Sequence, residues 1–257
     1  MNAKNLIPNE KISDFVQKIL VIENFQITSP FVLPLYANGT PTLLFQTAKG
    51  TIKGRFSNLT LFGQTVFPET LELNDSFTLI AYFFKPFSIP ALFGLHAHEL
   101  TDNPIDLNLL NPTVALDLQD QLLNSLTAEK MLALIDSYIF SLIKKVKMET
   151  QAIEFAAAKI SENASRKTLK NVQNELYITE RTLERMFERN IGIAPNQYRR
   201  ISQFSTAFGQ LQRNEFKNLA DIAFDNGYSD QSHFIRSFKE FANITPKEYL
   251  NYKKSGV

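Results

Sequence analysis

A short segment in the C-terminal part of the chain places charged side chains on one helix face, where they could bind another molecule. Arg181, Glu184, Arg185 and Glu188 follow the i, i+3, i+4, i+7 spacing, and large apolar side chains fall on the opposite face. Arginine can donate two hydrogen bonds to O6 and N7 of a guanine, and glutamate can accept one from N4 of a cytosine. Arg181, Glu184 and Arg185 are therefore candidates for reading bases. The alternative is a solvated face on which each glutamate pairs with the arginine three residues before it.

A second segment divides in the same way, with phenylalanines inward and other side chains outward. The outward positions include Gln231, Ser232, Ile235 and Arg236. Glutamine can bind both N6 and N7 of an adenine, and isoleucine can contact a thymine methyl group. We therefore expect base reading here as well. A structural role stays open for Arg236, because Arg185 holds the equivalent position in the first segment and both could brace a connecting helix.

Other side chains near these two faces could bind the phosphate backbone. The candidates are Thr179, Arg199, Arg200, Lys217, His233 and Lys239. Phosphate contacts set the position and the affinity of a protein on DNA, but not its sequence preference. Arg199 and Arg200 could equally lie on a solvated face of a connecting helix, and His233 could cap its own helix.

The two segments belong to an internal repeat. With a shift of 51 positions, Leu183–Phe187 aligns with Phe234–Phe238. The alignment continues with Gly192 on Asn243, Ile193 on Ile244, Pro195 on Pro246 and Tyr198 on Tyr249. Glycine and asparagine accept the left-handed backbone that follows a helix end, and proline suits the first turn of the next helix. Two helical units of one design are predicted, joined by a long helix from about Pro195 to Arg213.

Each unit begins with a shorter helix and a tight turn. In the second unit Asn218 is a cap-like residue and Gly227 falls at the turn, before Asp230 opens the next helix. A short helix, a turn and a capped second helix form the helix-turn-helix arrangement, whose second helix enters a major groove. In the first unit Tyr177 stands where a glycine is expected.

The stretch from Gly227 to Lys239, followed by Ile244–Tyr249, resembles the AraC family of bacterial transcription regulators. The resemblance covers about residues 150–253. It implies a double helix-turn-helix domain that binds double-stranded DNA, with base-contacting positions at Arg181, Glu184 and Arg185. Glu184 departs from the neutral polar residue that is more usual there. Phe84–Phe87 and Leu92–Asp102 are similar to a sensor domain found in some of these regulators, so an unidentified small-molecule effector is expected.

The fold class that we predict is α+β. Residues 1–111 form a β-rich, sensor-like domain of the barrel or cupin-like kind, because short β-rich runs between Phe31 and Phe87 alternate with turn signals such as Lys49-Gly50. Residues 112–148 form a helical hairpin, and residues 149–257 form the all-α double helix-turn-helix domain. The phenylalanines of the β-rich domain could line a pocket, but plain core packing is the preferred interpretation for most of them.

The distribution of charge supports a polyanionic partner for the second half of the chain. There are 27 lysines and arginines against 26 aspartates and glutamates, and this formal charge of +1 taken alone argues against nucleic-acid binding. Residues 1–148 carry 11 basic and 13 acidic side chains, whereas residues 149–257 carry 16 and 13. Within residues 166–213 there are 9 basic and 4 acidic side chains. The basic excess therefore lies in the segment that carries the repeat.

Composition also limits the classes of protein that are possible. Cysteine is absent, which excludes disulfides and thiolate metal sites. No apolar run approaches the roughly 20 residues of a membrane span, and the first residues lack a signal-peptide core, so we expect a cytoplasmic protein without a membrane partner. No Ser-His-Asp set, phosphate loop or carboxylate pair stands out, and neither catalytic residues nor a cofactor are predicted.

Two hypotheses concern the N-terminal half. His96 and His98 have the spacing of a metal-binding pair on a barrel strand, which would suit a metal-dependent cupin-like enzyme with an appended helical domain. A surface pair without metal is the preferred interpretation, because the surrounding sequence favours helix or loop. The predicted helix from Ala128 to Lys147 is apolar around more than one narrow stripe, which leaves a surface for a homodimer contact.

Overall fold

The protein is described by a computed structural model that covers residues 1–27, 29–52, 54–110 and 112–254. The N-terminal part is an antiparallel sheet domain, as the β-rich runs predict. Its strands are β1 (Asn2–Leu6), β2 (Val16–Asn24), β3 (Phe31–Leu35), β4 (Thr42–Ile52), β5 (Arg55–Phe62), β6 (Glu69–Leu73), β7 (Phe77–Phe84) and β8 (Ile105–Asp106). The strands β1, β2, β6 and β8 were not predicted from the sequence. These strands are short, or they lie before the first run of turn signals.

The strands follow the order β1-β2-β7-β4-β5-β8, and β3 pairs with β6 beside this path. β4 is one continuous strand, although the Lys49-Gly50 pair predicted a turn within it. Its pairing with β5 shifts register between Phe45 and Gly50, so the turn signal marks a β-bulge. The bulge lets one long strand pair with β5 along its length and touch β6 at Thr51.

The apolar residues of the central strands point alternately to two cores. On β4, Leu43 and Phe45 enter one buried cluster, while Leu44 enters the other. The first cluster continues from the sheet through the helices into the C-terminal domain, and the second lies between the sheet and the β3–β6 pair. β7 is buried along almost all of its length because it contributes to both clusters.

Ten helices complete the described part of the chain. They are α1 (Ser88–Phe93), α2 (Pro112–Leu123), α3 (Ala128–Ile143), α4 (Gln151–Glu162), α5 (Arg166–Glu175), α6 (Glu180–Asn190), α7 (Pro195–Arg213), α8 (Leu219–Asp225), α9 (Gln231–Ala242) and α10 (Pro246–Lys254). Short 3-10 turns lie at Ala97–Leu100 and Leu107–Leu109. None of the helices within the described ranges is long and apolar enough to cross a membrane.

α2 and α3 form the predicted hairpin. Thr127 caps α3, accepting a hydrogen bond from the Lys130 backbone N–H at 3.4 Å. α3 ends at Ile143, earlier than the predicted Lys147. Tyr82 on β7 holds α3 to the sheet, because its hydroxyl donates to Asp136 Oδ1 at 2.7 Å. Burial and this carboxylate raise the pKa of Tyr82, so the phenol keeps its proton and the hydrogen bond.

Candidate DNA-binding interface and ligand cavity

The first helix-turn-helix unit consists of α5 and α6. Thr179 caps α6 and accepts from the Thr182 backbone N–H at 3.2 Å, which fixes where the helix begins. Leu183 and Phe187 are buried as predicted. The four charged residues of the opposite face are all exposed: Arg181, Glu184, Arg185 and Glu188. α6 therefore presents one polar face to solvent and one apolar face to the core.

The second unit consists of α8 and α9. Asn218 and Asp221 form a reciprocal capping box at the start of α8. The inward phenylalanines of α9, at positions 234, 238 and 241, are completely buried. Gln231, Ser232 and Arg236 are exposed, and Ile235 is half-buried. The outward face predicted for α9 is thus available to a partner, with the isoleucine partly covered.

The turns of the two units both contain a residue with a left-handed backbone, but the residue types differ. Gly227 has φ +71° in the second unit, and Tyr177 has φ +55° in the first. Glycine takes this left-handed conformation without a penalty, whereas a tyrosine does so at a cost of about 1–2 kcal/mol. The helix ends after α6 and α9 are also left-handed, with φ +98° at Gly192 and +59° at Asn243, as the repeat predicted.

Carboxylate side chains stabilise the starts of α9 and α10, the two helices that follow turns in the second unit. Asp230 accepts from the His233 backbone N–H at 2.7 Å, and this bond lowers the pKa of its carboxyl group. Glu248 accepts from the Thr245 backbone N–H at 2.6 Å, and Thr245 Oγ1 accepts from Glu248, so the predicted capping box is present. The pKa of Glu248 is lowered for the same reason. Both carboxylates stay ionised at helix N-termini.

The candidate phosphate contacts fall into two groups. Lys217, Lys239 and Thr179 are exposed. His233 lies over the start of its own helix, where its Nδ1 is 3.2 Å from Ser229 Oγ, so its side chain is partly engaged in a local contact. Arg200 is partly engaged: it forms an ion pair with Glu240 and lies over the ring of Phe241.

The structure does not support the predicted phosphate contact of Arg199. Its side chain is only 7% exposed, and its guanidinium donates to Ala164 O at 2.9 Å and to Gln203 Oε1 at 3.2 Å. A side chain held inside the domain cannot reach a phosphate, so Arg199 ties α7 to the loop before α5 instead. The bracing role considered for Arg185 and Arg236 thus belongs to the arginine pair on α7. Within the described residues, neither Arg185 nor Arg236 has a side-chain hydrogen bond or an ion pair.

A cavity of about 640 Å³ opens between the sheet domain and α7. Its sheet-side wall is mainly apolar and includes Leu44, Leu79 and Phe83. The polar groups at its rim include Lys18, whose Nζ lies 5.6 Å from the centroid of the Phe83 ring. Thr40 also lines the cavity, and its buried hydroxyl has no hydrogen-bond partner among the described residues.

The helical wall of this cavity was not predicted. It consists of Ser205, Phe208, Gly209 and Gln212 on the second half of α7. In the sequence these residues look like an ordinary helix interior. They are about 120 positions or more from the wall of the sheet domain, and no local pattern joins distant segments.

A smaller cleft of about 410 Å³ lies on the other side of the Asn38–Thr40 loop. There Lys85, which directly follows β7, and Glu154 of α4 form an ion pair, with 3.1 Å between Nζ and Oε1. Near the first unit, Thr101 Oγ1 donates to Gly192 O at 3.0 Å. A Cβ at Gly192 would lie 2.7 Å from Ala97 O, so only glycine permits this approach. The sheet domain thus packs closely against α4 and the end of α6.

His96 and His98 lie at the 3-10 turn after α1, and their ring centroids are 5.8 Å apart. The surrounding sequence therefore folds as the expected helix or loop and not as a barrel strand. Among the described residues there is no group of three or more histidine and carboxylate side chains placed to hold a metal ion.

Residues 172–252 match a family described as a helix-turn-helix domain. The C-terminal domain belongs to the AraC type. Residues 4–106, which precede this AraC-type domain, match a domain of unknown function, DUF6597. The two matches together cover most of the sheet domain and the two units from the last part of α5 onward.

Two curated transcription regulators are similar to part of this chain. The HTH-type transcriptional regulator ArgR of Pseudomonas aeruginosa is 27% identical over 107 residues, which are 42% of this chain and 31% of the relative. The HTH-type transcriptional activator RhaS of Mannheimia succiniciproducens is 37% identical over 68 residues, 26% of this chain and 25% of the relative. The aligned part thus spans less than a third of the length of either relative.

Solved structures share the fold over a larger part of the chain. ToxT from Vibrio cholerae O395 has a TM-score of 0.50 at 16% identity, covering 90% of this chain and 95% of that one. A second ToxT structure, at 1.65 Å resolution, has a TM-score of 0.52 at 14% identity and covers 97% and 98%. The arrangement of an N-terminal sheet domain before a helical domain is therefore a known fold.

Proposed function

We propose that this protein is a transcription regulator that binds a specific DNA sequence through both helix-turn-helix units. One observation carries the proposal. The helix α7 links the two units, and α6 and α9 each present an exposed face rich in hydrogen-bonding side chains. The match of residues 172–252 to a helix-turn-helix domain supports the same conclusion.

In this proposal α6 reads bases through Arg181, Glu184 and Arg185. α9 reads bases through the four residues of its outward face, which are Gln231, Ser232, Ile235 and Arg236. The two helices enter successive major grooves, about 34 Å apart on one face of the DNA. One protomer therefore recognises a non-palindromic site with two segments separated by about 10 base pairs.

The other candidate residues near the two recognition helices bind the phosphate backbone. Lys217 and Lys239 contribute charge, Arg200 adds its charge from beside the ion pair with Glu240, and Thr179 and His233 contribute at the two helix N-termini. The basic excess of this region is small, so affinity depends on a few directed side chains and its salt dependence is moderate.

We further propose that a small molecule in the cavity of 640 Å³ regulates DNA binding. The chemistry of the wall suits an apolar molecule with an acidic end: the body contacts leucines and Phe83, and the acid meets Lys18 and the Thr40 hydroxyl. ToxT structures of similar fold carry an unsaturated fatty acid or a naphthalenyl-butenoic acid, both of them apolar acids.

The exposed face of α3 is the proposed contact for a homodimer. Small residues at Ala133, Ser137 and Ser141 lie along it, flanked by the half-buried Leu134 and Tyr138. Small side chains let a second helix approach closely, while the flanking residues supply apolar area for the contact.

Selection from a random DNA library tests the DNA-binding proposal. The full chain is expected to select a site with two conserved segments. Arg185→Ala should relax base preference in one segment and Gln231→Ala in the other. Arg213→Ala is the matched control, because Arg213 is exposed on α7 but pairs with Glu215 at 2.7 Å. A chain that selects no sequence, or variants that relax the same positions, would contradict the proposal.

A further inference from the structure

Phe208 stands where the cavity, the sheet domain and the second helix-turn-helix unit meet. Its half-buried ring lines the cavity from α7. On the side of the sheet domain its centroid is 5.2 Å from that of Tyr36, in an edge-to-face contact. On the other side it lies 5.6 Å from Phe238 on α9 and 4.9 Å from Tyr249 on α10. One side chain thus touches both the space for a ligand and the core behind the second recognition helix.

The contacts that hold the first unit to the sheet domain lie elsewhere. Thr101 bonds to Gly192 at the end of α6, and Lys85 pairs with Glu154 on α4. None of these four residues lines the cavity of 640 Å³. A ligand in that cavity therefore touches the helical domain at the second half of α7 and not at the contacts of the first unit.

We propose that Phe208 is the positioning residue through which the ligand acts, and that it acts on the second DNA segment selectively. This inference rests on the proposed function. A ligand that fills the cavity presses on Phe208 and changes its contact with Tyr36. Because the aromatic core behind α9 is close-packed, a shift of Phe208 is passed to Phe238. The shift of Phe238 reorients the outward residues of α9 in their groove.

The selectivity follows from the position of α6. Its core residues Leu183 and Phe187 lie behind the first unit, and Phe187 packs on Tyr198, in the first half of α7, at 5.6 Å. That pair is outside the cavity wall of 640 Å³. Ligand binding therefore leaves α6 in place and alters the fit of α9.

Titrations of the selected site and of two altered sites test the inference, with dodecanoate as the probe. In the wild type, dodecanoate should change the Kd for the selected site, and for a site scrambled in the α6 segment, by about tenfold, as is typical of coupled sites. For a site scrambled in the α9 segment the change should be less than about twofold, because that site has no specific α9 contacts to change. In Phe208→Leu the change on the selected site should fall below about twofold.

Phe241→Leu is the control, since Phe241 is buried behind α9 and packs on Phe204 but does not line the cavity. It should lower the melting temperature and weaken binding to the selected site while keeping the tenfold response. A wild type whose Kd for the selected site does not respond, or that responds equally when the α9 segment is scrambled, overturns the inference, as does a full response in Phe208→Leu. A wild type that selects no DNA sequence overturns the proposed function instead.

Discussion

At the scale of single residues, base readers and phosphate contacts make different contributions to binding. An arginine that donates twice to one guanine discriminates against other bases, whereas a lysine near a phosphate attracts every sequence equally. Arg185 and Lys239 are both exposed and lie on the two recognition helices. They therefore allow the two kinds of contribution to be separated.

Lys239→Ala is expected to weaken binding to all sequences by a similar factor and to reduce the salt slope of log K by about 1. Arg185→Ala should cost about 1–3 kcal/mol on the selected site and much less on sites changed at its base pair. Titrations of both variants at several salt concentrations check this. Loss of sequence preference in Lys239→Ala would assign that lysine to base reading.

Asp230 provides a prediction about pH. Its carboxyl accepts hydrogen bonds from the backbone at the start of α9, so its pKa in the folded chain lies below the ordinary 3.8. A lowered pKa gives stabilisation that is complete above about pH 4 and is lost as the pH falls through the folded value. Asp230→Asn keeps a capping side chain without the charge.

The melting temperature of Asp230→Asn should therefore lie below that of the wild type at pH 6, and the difference should shrink at pH 3. Scanning calorimetry at the two pH values measures it. A difference that stays constant between them would show that the charge of Asp230 does not stabilise α9.

At the scale of elements, the turns inside the two helix-turn-helix units differ in strain. Tyr177 has φ +55° with a side chain that is 96% exposed, so the ring gains little from burial. Gly227 has φ +71° at the corresponding turn, where an alanine would be strained.

Tyr177→Gly is expected to raise the free energy of unfolding by up to about 1 kcal/mol, since relief of left-handed strain exceeds the added entropy of the unfolded chain. Gly227→Ala should lower it by about 1 kcal/mol. Urea unfolding of both variants compares them. A lower stability of Tyr177→Gly would mean that the tyrosine ring stabilises the turn despite its exposure.

At the scale of the whole molecule, the arrangement of two protomers depends on α3. Its exposed face carries small residues, and a bulky charged side chain there would prevent close approach of a second helix. The full chain is expected to be dimeric by light scattering at micromolar concentration, and Ser137→Arg to be monomeric. Gln121→Arg, on the exposed face of α2, is the matched control. A monomeric wild type, with or without DNA, would contradict the α3 interface.

Much of the C-terminal domain followed from local sequence. The alternation of apolar and polar residues on α6 and α9 predicted which side chains are buried, because a helix face repeats every three to four residues. The cap at Asn218 and the left-handed ends at Gly192 and Asn243 followed from local backbone chemistry as well. Strands were predicted less completely. β4 bends through a bulge that looks like a turn, and pairing between distant strands leaves no local pattern.

The two units, their repeat and the helix faces that point outward follow from the sequence alone, because these depend on residues within a few positions of one another. Which arginine is available and where a ligand fits depend on contacts between distant segments. Arg199 and Arg200 are neighbours in the chain, yet one is buried against Ala164 while the other lies over Phe241 near the surface. The cavity forms because leucines of the sheet domain lie opposite Phe208 of α7. Long-range packing brings these residues together, and local sequence spacing does not predict such contacts.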